Sequence, residues 1–354
     1  MSEHERQTGI PQDPVAPPDR TAVTGDVDRA PRRRRGRGRG EKKMVPDAHF
    51  ESYYGKPILN KPTWEARDIA GYLFLGGLAG GSSVLAMGAE LTGRRRMARV
   101  TKVSGLVAIL ASLVALVHDL GRPERFVRML RVFKPSSPMS VGSWILATYG
   151  PLAGVAAATE ITGWFPRVGR AATVGAGFVG PAVASYTAAL MSDTAVPTWH
   201  DGHREMPFVF VGSAAAAAGG LAVLASPANE AGPARRTLIL GAATELAAGE
   251  VMSRRMGLSA ELLHQGSAGR WMIAAKAFSV AGMVAGGVWG RRSRTAAILG
   301  GAAAMAGSAC TRFGIFHAGV ASAEDPKYTV IPQRERLAQR AGVPGSEAGT
   351  PSRA

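Results

Sequence analysis

The stretch Ile69-Ala70-Gly71-Tyr72-Leu73-Phe74-Leu75-Gly76-Gly77-Leu78-Ala79-Gly80-Gly81-Ser82-Ser83-Val84-Leu85-Ala86-Met87-Gly88-Ala89 decides the fold class. It carries no formal charge. Coiled as a helix at about 1.5 Å per residue, it is long enough to cross the ~30 Å hydrocarbon core of a bilayer. Comparable stretches with at most two charges each follow at Val103–Val117, about Ser140–Thr162, about Ala171–Ser192, Pro207–Ser226, Thr237–Ser253, Trp271–Gly290 and Thr295–Val320. They predict an all-α integral membrane protein, a bundle of about eight transmembrane helices, in place of a soluble core.

The charge map agrees. The 354 residues include 42 Lys+Arg and 26 Asp+Glu, a formal net charge of +16. Residues 1–68 hold 25 charged side chains, whereas residues 69–320 hold only 34 in nearly four times the length. Length alone would allow two soluble domains, and this distribution excludes them. Three segments are expected: a disordered basic N-terminal arm over residues 1–60, an eight-helix transmembrane domain over 61–322, and a polar C-terminal tail over 323–354. The arm contains Arg32-Arg33-Arg34-Arg35-Gly36-Arg37-Gly38-Arg39 and too few apolar residues to offset the entropy of ordering. No aromatic or folded module accompanies that run, so an attraction to anionic lipid or an acidic partner is expected, not nucleic-acid binding. No apolar stretch with a cleavage site follows Met1, so a cleaved signal peptide is not expected.

The single cysteine, Cys310, cannot hold an iron–sulfur cluster or a structural zinc by itself. No glycine-rich loop ending in Lys-Ser/Thr offers a phosphate cradle. Of seven histidines, only His118, His264 and His317 lie in or beside spans, and no two share a helix at a ligand spacing. Intrinsic haem and intrinsic metal are therefore not expected, and redox metals would come from a partner. Gly76, Gly77, Gly80 and Gly81 form overlapping Gly-xxx-Gly pairs, and Gly282 and Gly286 form another; such faces let helix backbones approach closely in lipid. Arg122–Lys134, with Arg125, Arg128 and Arg131 recurring every three residues, suits a basic interfacial helix. Basic residues in the loops do not settle the membrane orientation.

Ionisable groups at membrane depth are expensive and mark candidate sites. With the N-terminus on side A, His118-Asp119 ends the second span on that side. A carboxylate beside a histidine can set its tautomer and make a proton donor or acceptor. The pair reads equally as a polar helix C-terminus closed by Gly121-Arg122-Pro123. Asp68 and Tyr72 start the first span on the same side, Trp144 lies near the start of the third, and Tyr186 lies about two turns from the end of the fourth. Tyr and Trp at that depth also serve as an interfacial belt. A second set comprises Glu90, Glu160, Asp193, Glu245, Glu250, Lys276 and Arg312. It reads either as a proton path or as interhelical ion pairs, for instance Glu245 or Glu250 with Lys276 or Arg312.

Tyr72-Leu73-Phe74-Leu75-Gly76-Gly77-Leu78-Ala79-Gly80, followed by His118-Asp119-Leu120-Gly121-Arg122-Pro123, resembles the NrfD/polysulfide reductase membrane-subunit family. Phe133-Lys134-Pro135, Pro138-Met139-Ser140, Ser143-Trp144, Tyr186-Thr187 and Pro197-Thr198-Trp199 extend the similarity over about residues 60–330. The basic arm departs from it. The resemblance implies a multi-pass subunit of a bacterial plasma membrane, without haem, that anchors a four-cluster ferredoxin-like iron–sulfur subunit and a molybdopterin catalytic subunit. It implies exchange of electrons and protons with menaquinone, as in anaerobic respiration. Carried over, His118 and Asp119 are acid–base groups at the quinone. Tyr72 and Tyr186 line the pocket, with Asp68, Arg122 and Trp144 beside them. Two alternatives stand: a secondary transporter with a midplane site at Glu245, Glu250, Lys276 and Arg312, and a passive anchor.

Overall fold

A computed structural model describes residues 58–60, 62, 64–119 and 128–340, apart from the side chain of Ala338. Nearly all of the expected basic arm lies outside these residues. So do Arg122 and most of the expected interfacial helix.

Among the described residues all regular structure is helical. The long helices are α1 (Ala66–Leu91), α2 (Arg95–Asp119), α3 (Pro138–Thr162) and α4 (Pro166–Ser192). A short α5 (Pro197–Asp201) precedes α6 (Met206–Ala225), α7 (Gly232–Arg255), α8 (Gly266–Gly282) and α9 (Arg294–Glu324). A π-helical turn (Met283–Val288) and a 3₁₀ turn (Trp289–Arg291) prolong α8. Among the described residues six helices are long and apolar enough to cross a membrane: α1, α2, α3, α4, α6 and the continuous Gly266–Arg291 segment. Helices α7 and α9 have comparable length, but α7 carries Arg235, Arg236, Glu245, Glu250, Arg254 and Arg255, and α9 is diluted by Gly, Ala, Ser and Arg312. The protein is a helical membrane bundle, as expected, and eight is an approximate count of its spans. The expected polar tail contains a further helix, α10 (Lys327–Arg340).

Local chemistry sets the helix ends. Pro138, Pro166, Pro197, Pro207 and Pro233 stand in the first turn of their helices, where a missing N–H costs nothing. Gly163 ends α3 in the left-handed conformation, φ 74°, which a side chain would resist. Arg95 and Arg96, outside the predicted Val103–Val117 span, belong to the first turn of α2, which leaves only Thr92–Arg94 between α1 and α2. The Met97 amide donates to Glu230 at 2.9 Å, which puts a carboxylate on this basic first turn, and Lys102 deeper in the helix is neutralised by Glu90 and Glu160.

Helices α1 and α6 are the interior ones. In their most apolar windows 72% and 67% of residues are buried, against 33% for α2 and 28% for Gly266–Arg291. α1 packs on α2, α4 and α6, and α6 packs on α7. The small residues make these approaches possible. A Cβ on Gly80 would strike the Gly180 carbonyl of α4, and one on Gly81 would come within 2.8 Å of the Ala214 carbonyl of α6. A Cβ on Gly282 would lie 2.7 Å from the Ala304 nitrogen, and one on Gly286 would lie 3.0 Å from Gly300. Van der Waals packing of backbones at close range is the main cohesive force available between helices in lipid.

Candidate functional site

Asp68 lies in the first turn of α1 and His118 in the last turn of α2, so the short Thr92–Arg94 connection returns the chain to the depth it started from. Their side chains meet, with His118 Nδ1 2.6 Å from Asp68 Oδ2. The imidazole is 73% exposed while the carboxylate is 14% exposed. An ionised carboxylate only accepts hydrogen bonds, so the shared proton belongs to Nδ1 and Nε2 faces outward. Asp119 is not the group that orients His118. Consecutive residues of a helix point in different directions, and Asp119 turns instead toward the backbone of Glu65.

Tyr72 stands one turn deeper than Asp68 on the same face of α1. Its hydroxyl is hydrogen-bonded to the hydroxyl of Tyr186 from α4, and both rings are buried. Gly142 of α3 makes room for this pair: a Cβ there would run into the Tyr186 ring. Ser112 of α2 donates to the Tyr72 carbonyl at 3.2 Å, tying the two helices at this level. Four of the residues singled out from sequence, Asp68, Tyr72, His118 and Tyr186, are thus gathered by α1, α2 and α4. Trp144 is not among them. It is exposed and meets Phe133 edge-to-face at 6.0 Å, as a belt residue does.

The second set divides. Lys102 Nζ lies 2.7 Å from Glu90 Oε2 and 2.8 Å from Glu160 Oε2, and Arg170 adds a 3.4 Å contact to Glu90. Glu250 pairs with Arg254 at 2.9 Å and with Lys276 at 3.8 Å. Asp193 is exposed at the end of α4. Glu245 and Arg312 do not form the expected pair with each other. Glu245 is buried and accepts from Thr311 at 2.6 Å and from Ser279 at 3.2 Å. Arg312 is 1% exposed, donates from Nη2 to the Phe210 carbonyl at 2.9 Å, and lays its guanidinium 3.6 Å from the centroid of the Phe210 ring. Its Nε and Nη1 have no hydrogen-bond partner. A cavity of about 30 Å³ beside Glu245, lined also by Lys276, His264, Ser253 and Met272, has room for about one water molecule.

Three features have no counterpart among the candidate site residues read from the sequence. Lys102, just before the predicted Val103–Val117 span, is the first. Tyr149, fully buried in α3, donates to the Ala79 carbonyl at 2.7 Å and meets Ser83 Oγ at 2.7 Å. Trp199 of α5 donates to the Ile315 carbonyl at 2.8 Å and stacks on Trp64 at 5.9 Å. The position of Lys102, seven residues inside α2, was the available signal, because a lysine at that depth needs a counter-charge.

A family model described as polysulphide reductase, NrfD, matches residues 60–323. The chain belongs to the NrfD family. No curated protein matches it. The match covers the whole of α1–α8 and almost all of α9, so the NrfD membrane bundle contains both the Asp68–His118 pair and the Glu245–Arg312 region. Among the described residues of this NrfD chain, no three His, Cys, Asp or Glu side chains gather as a metal site, and Cys310 is a buried free thiol.

Proposed function

We propose that this NrfD chain is the quinone-interacting membrane subunit of a molybdopterin/iron–sulfur oxidoreductase complex, exchanging electrons between a four-cluster ferredoxin-like iron–sulfur subunit and menaquinone. The observation that carries the reading is the exposed imidazole of His118, held through Nδ1 by Asp68 above the buried Tyr72–Tyr186 pair. A quinone headgroup, when bound, accepts hydrogen bonds at two carbonyl oxygens and takes up two protons with two electrons supplied by the partner's clusters. The residues fit that demand. With Nδ1–H fixed on Asp68, His118 gains or gives its exchangeable proton at Nε2, the exposed nitrogen. Asp68 stabilises the imidazolium formed when Nε2 is protonated. The tyrosine pair supplies a hydroxyl donor at the inner end of the site, and Asp119 is assigned to its rim.

Glu90, Glu160, Glu250 and Lys276 make ion pairs, which favours a structural role for them. Glu245 and Arg312 make none, and they stay candidates for proton transfer through the bundle, with Asp193 at the surface end.

The deciding experiment is turnover in the assembled native complex with His118→Ala. The expected result is loss of quinone-linked activity by about 100-fold or more, the usual yield of a general acid–base group, with metal content and subunit composition unchanged. Full quinone turnover in that complex would overturn the role of His118. Retained assembly with no binding of quinol analogues to the wild-type protein would establish the passive anchor instead.

A further inference from the structure

On the face opposite Asp68 and His118, the ends of α6 and α8 and the starts of α7 and α9 enclose a cavity of about 170 Å³, with Arg291, Arg292 and Arg294 among its lining residues. Arg294 is fully engaged. It donates to the carbonyls of Val223, Leu224 and Ser226 at 3.2, 2.5 and 3.0 Å and so closes the C-terminus of α6. Arg235, on the first turn of α7, donates to the Ala228 carbonyl at 3.3 Å, and the charges it faces are Arg291 and Arg236. None of the ion pairs among the described residues includes Arg235, Arg236, Arg291 or Arg292. Glu230, close by in sequence, has one oxygen on the Met97 amide at 2.9 Å, where it caps α2.

Like charges brought together without a carboxylate repel one another, and an anion at their centre removes that cost. The backbone is shaped to hold them there. The π turn Met283–Val288 and the 3₁₀ turn Trp289–Arg291 break the regular course of the helix just before Arg291-Arg292, and π turns concentrate at functional positions. Beside the arginines the surface turns apolar, with Val288, Trp289, Ile298 and Leu299 all exposed. A tryptophan at that boundary marks the headgroup level of the bilayer. Basic pockets between helix ends at that level suit lipid phosphates.

We propose that this cavity binds the phosphate of an anionic phospholipid, with Arg235, Arg291 and Arg292 as its ligands and the acyl chains lying over Val288, Trp289 and Leu299. Free inorganic phosphate shares the headgroup chemistry but gains nothing from the apolar border.

The test uses the full chain, purified in detergent, stripped of lipid and titrated with phosphatidylglycerol, phosphatidylcholine or inorganic phosphate under native mass spectrometry. Wild-type protein should retain phosphatidylglycerol selectively. Arg235→Gln/Arg291→Gln/Arg292→Gln should weaken that binding on the order of ten- to a hundredfold, taking about fivefold per basic residue as the upper scale. The charge-matched Arg95→Gln/Arg96→Gln/Arg99→Gln variant on the same membrane face should retain it. A photoreactive phosphatidylglycerol should label residues 289–297 of the wild-type protein, a readout that does not require the variant to fold. Equal losses in the two triple variants would overturn the site. So would labelling elsewhere, or full displacement of the lipid by millimolar inorganic phosphate.

Discussion

The two halves of the bundle place acid and base in opposite ways. In the first half, Asp68 and His118 touch at 2.6 Å and the imidazole opens to the surface. In the second, Glu245 and Arg312 are both buried, yet Glu245 is held by two hydroxyls and Arg312 by one carbonyl, with two of its donors unpartnered, rather than by each other. An exposed pair can exchange protons with a ligand and bulk water, and it contributes little to stability. A buried group carries its desolvation cost whether or not it acts, so its presence calls for a reason other than stability. Contact and exposure, more than residue type, separate the candidate site from the interior.

The largest expected effect sharpens the first half of that contrast. Asp68→Asn should preserve the shape of the pair but remove the carboxylate that fixes the Nδ1 proton, and quinone-linked turnover of the assembled complex should fall by about 100-fold. If Asp68→Asn turns over at the wild-type rate, the tautomer-setting role is lost and Asp119 becomes the candidate. Next is Lys102→Met, which takes the buried cation from between Glu90 and Glu160 and leaves Glu90 only the 3.4 Å contact with Arg170. It should lower stability by about 2–3 kcal/mol, read as a drop of several degrees in Tm in detergent, with little effect on turnover. Tyr186→Phe removes the hydroxyl contact with Tyr72. A loss of about 1 kcal/mol in stability is expected, together with weaker binding of quinol analogues measured by fluorescence quenching.

The smallest effect on stability is expected where the side chain is most buried. Arg312→Met keeps most of the volume and the contact with Phe210, and it removes two unpartnered donors, so Tm should change little or rise. If proton uptake by the complex, followed with a pH dye in vesicles, also stays at the wild-type level, Arg312 has no part in proton transfer. A large drop in Tm would instead break the comparison by showing that Arg312 is structurally required.

Much of this was legible in the sequence because lipid imposes a simple rule. Each span must be a long, nearly charge-free helix, and that rule produced the helical bundle from Ile69–Ala89 outward. Proline in first helical turns and glycine where backbones meet were also readable, since both follow from local sterics. The His118 neighbourhood was readable only by depth: Asp68, Tyr72, His118, Asp119, Trp144 and Tyr186 counted to one level, and of these His118 meets Asp68 and Tyr72 meets Tyr186, while Trp144 turns to Phe133.

The sequence by itself could not fix which way each helix is turned about its axis. In a soluble domain the apolar stripe of a helix reports its facing, but a span surrounded by lipid and other apolar helices has no such stripe. Rotation chose Asp68 over the adjacent Asp119 as the partner of His118, and it sent Trp144 outward to Phe133. The same freedom joined Lys102 to Glu90 and Glu160 across three helices, and it kept Glu245 from Arg312. Hydropathy therefore set which segments span and at what depth each group sits. Close packing of small residues, such as Gly80 against Gly180, set the rotations and with them every pair that could carry chemistry.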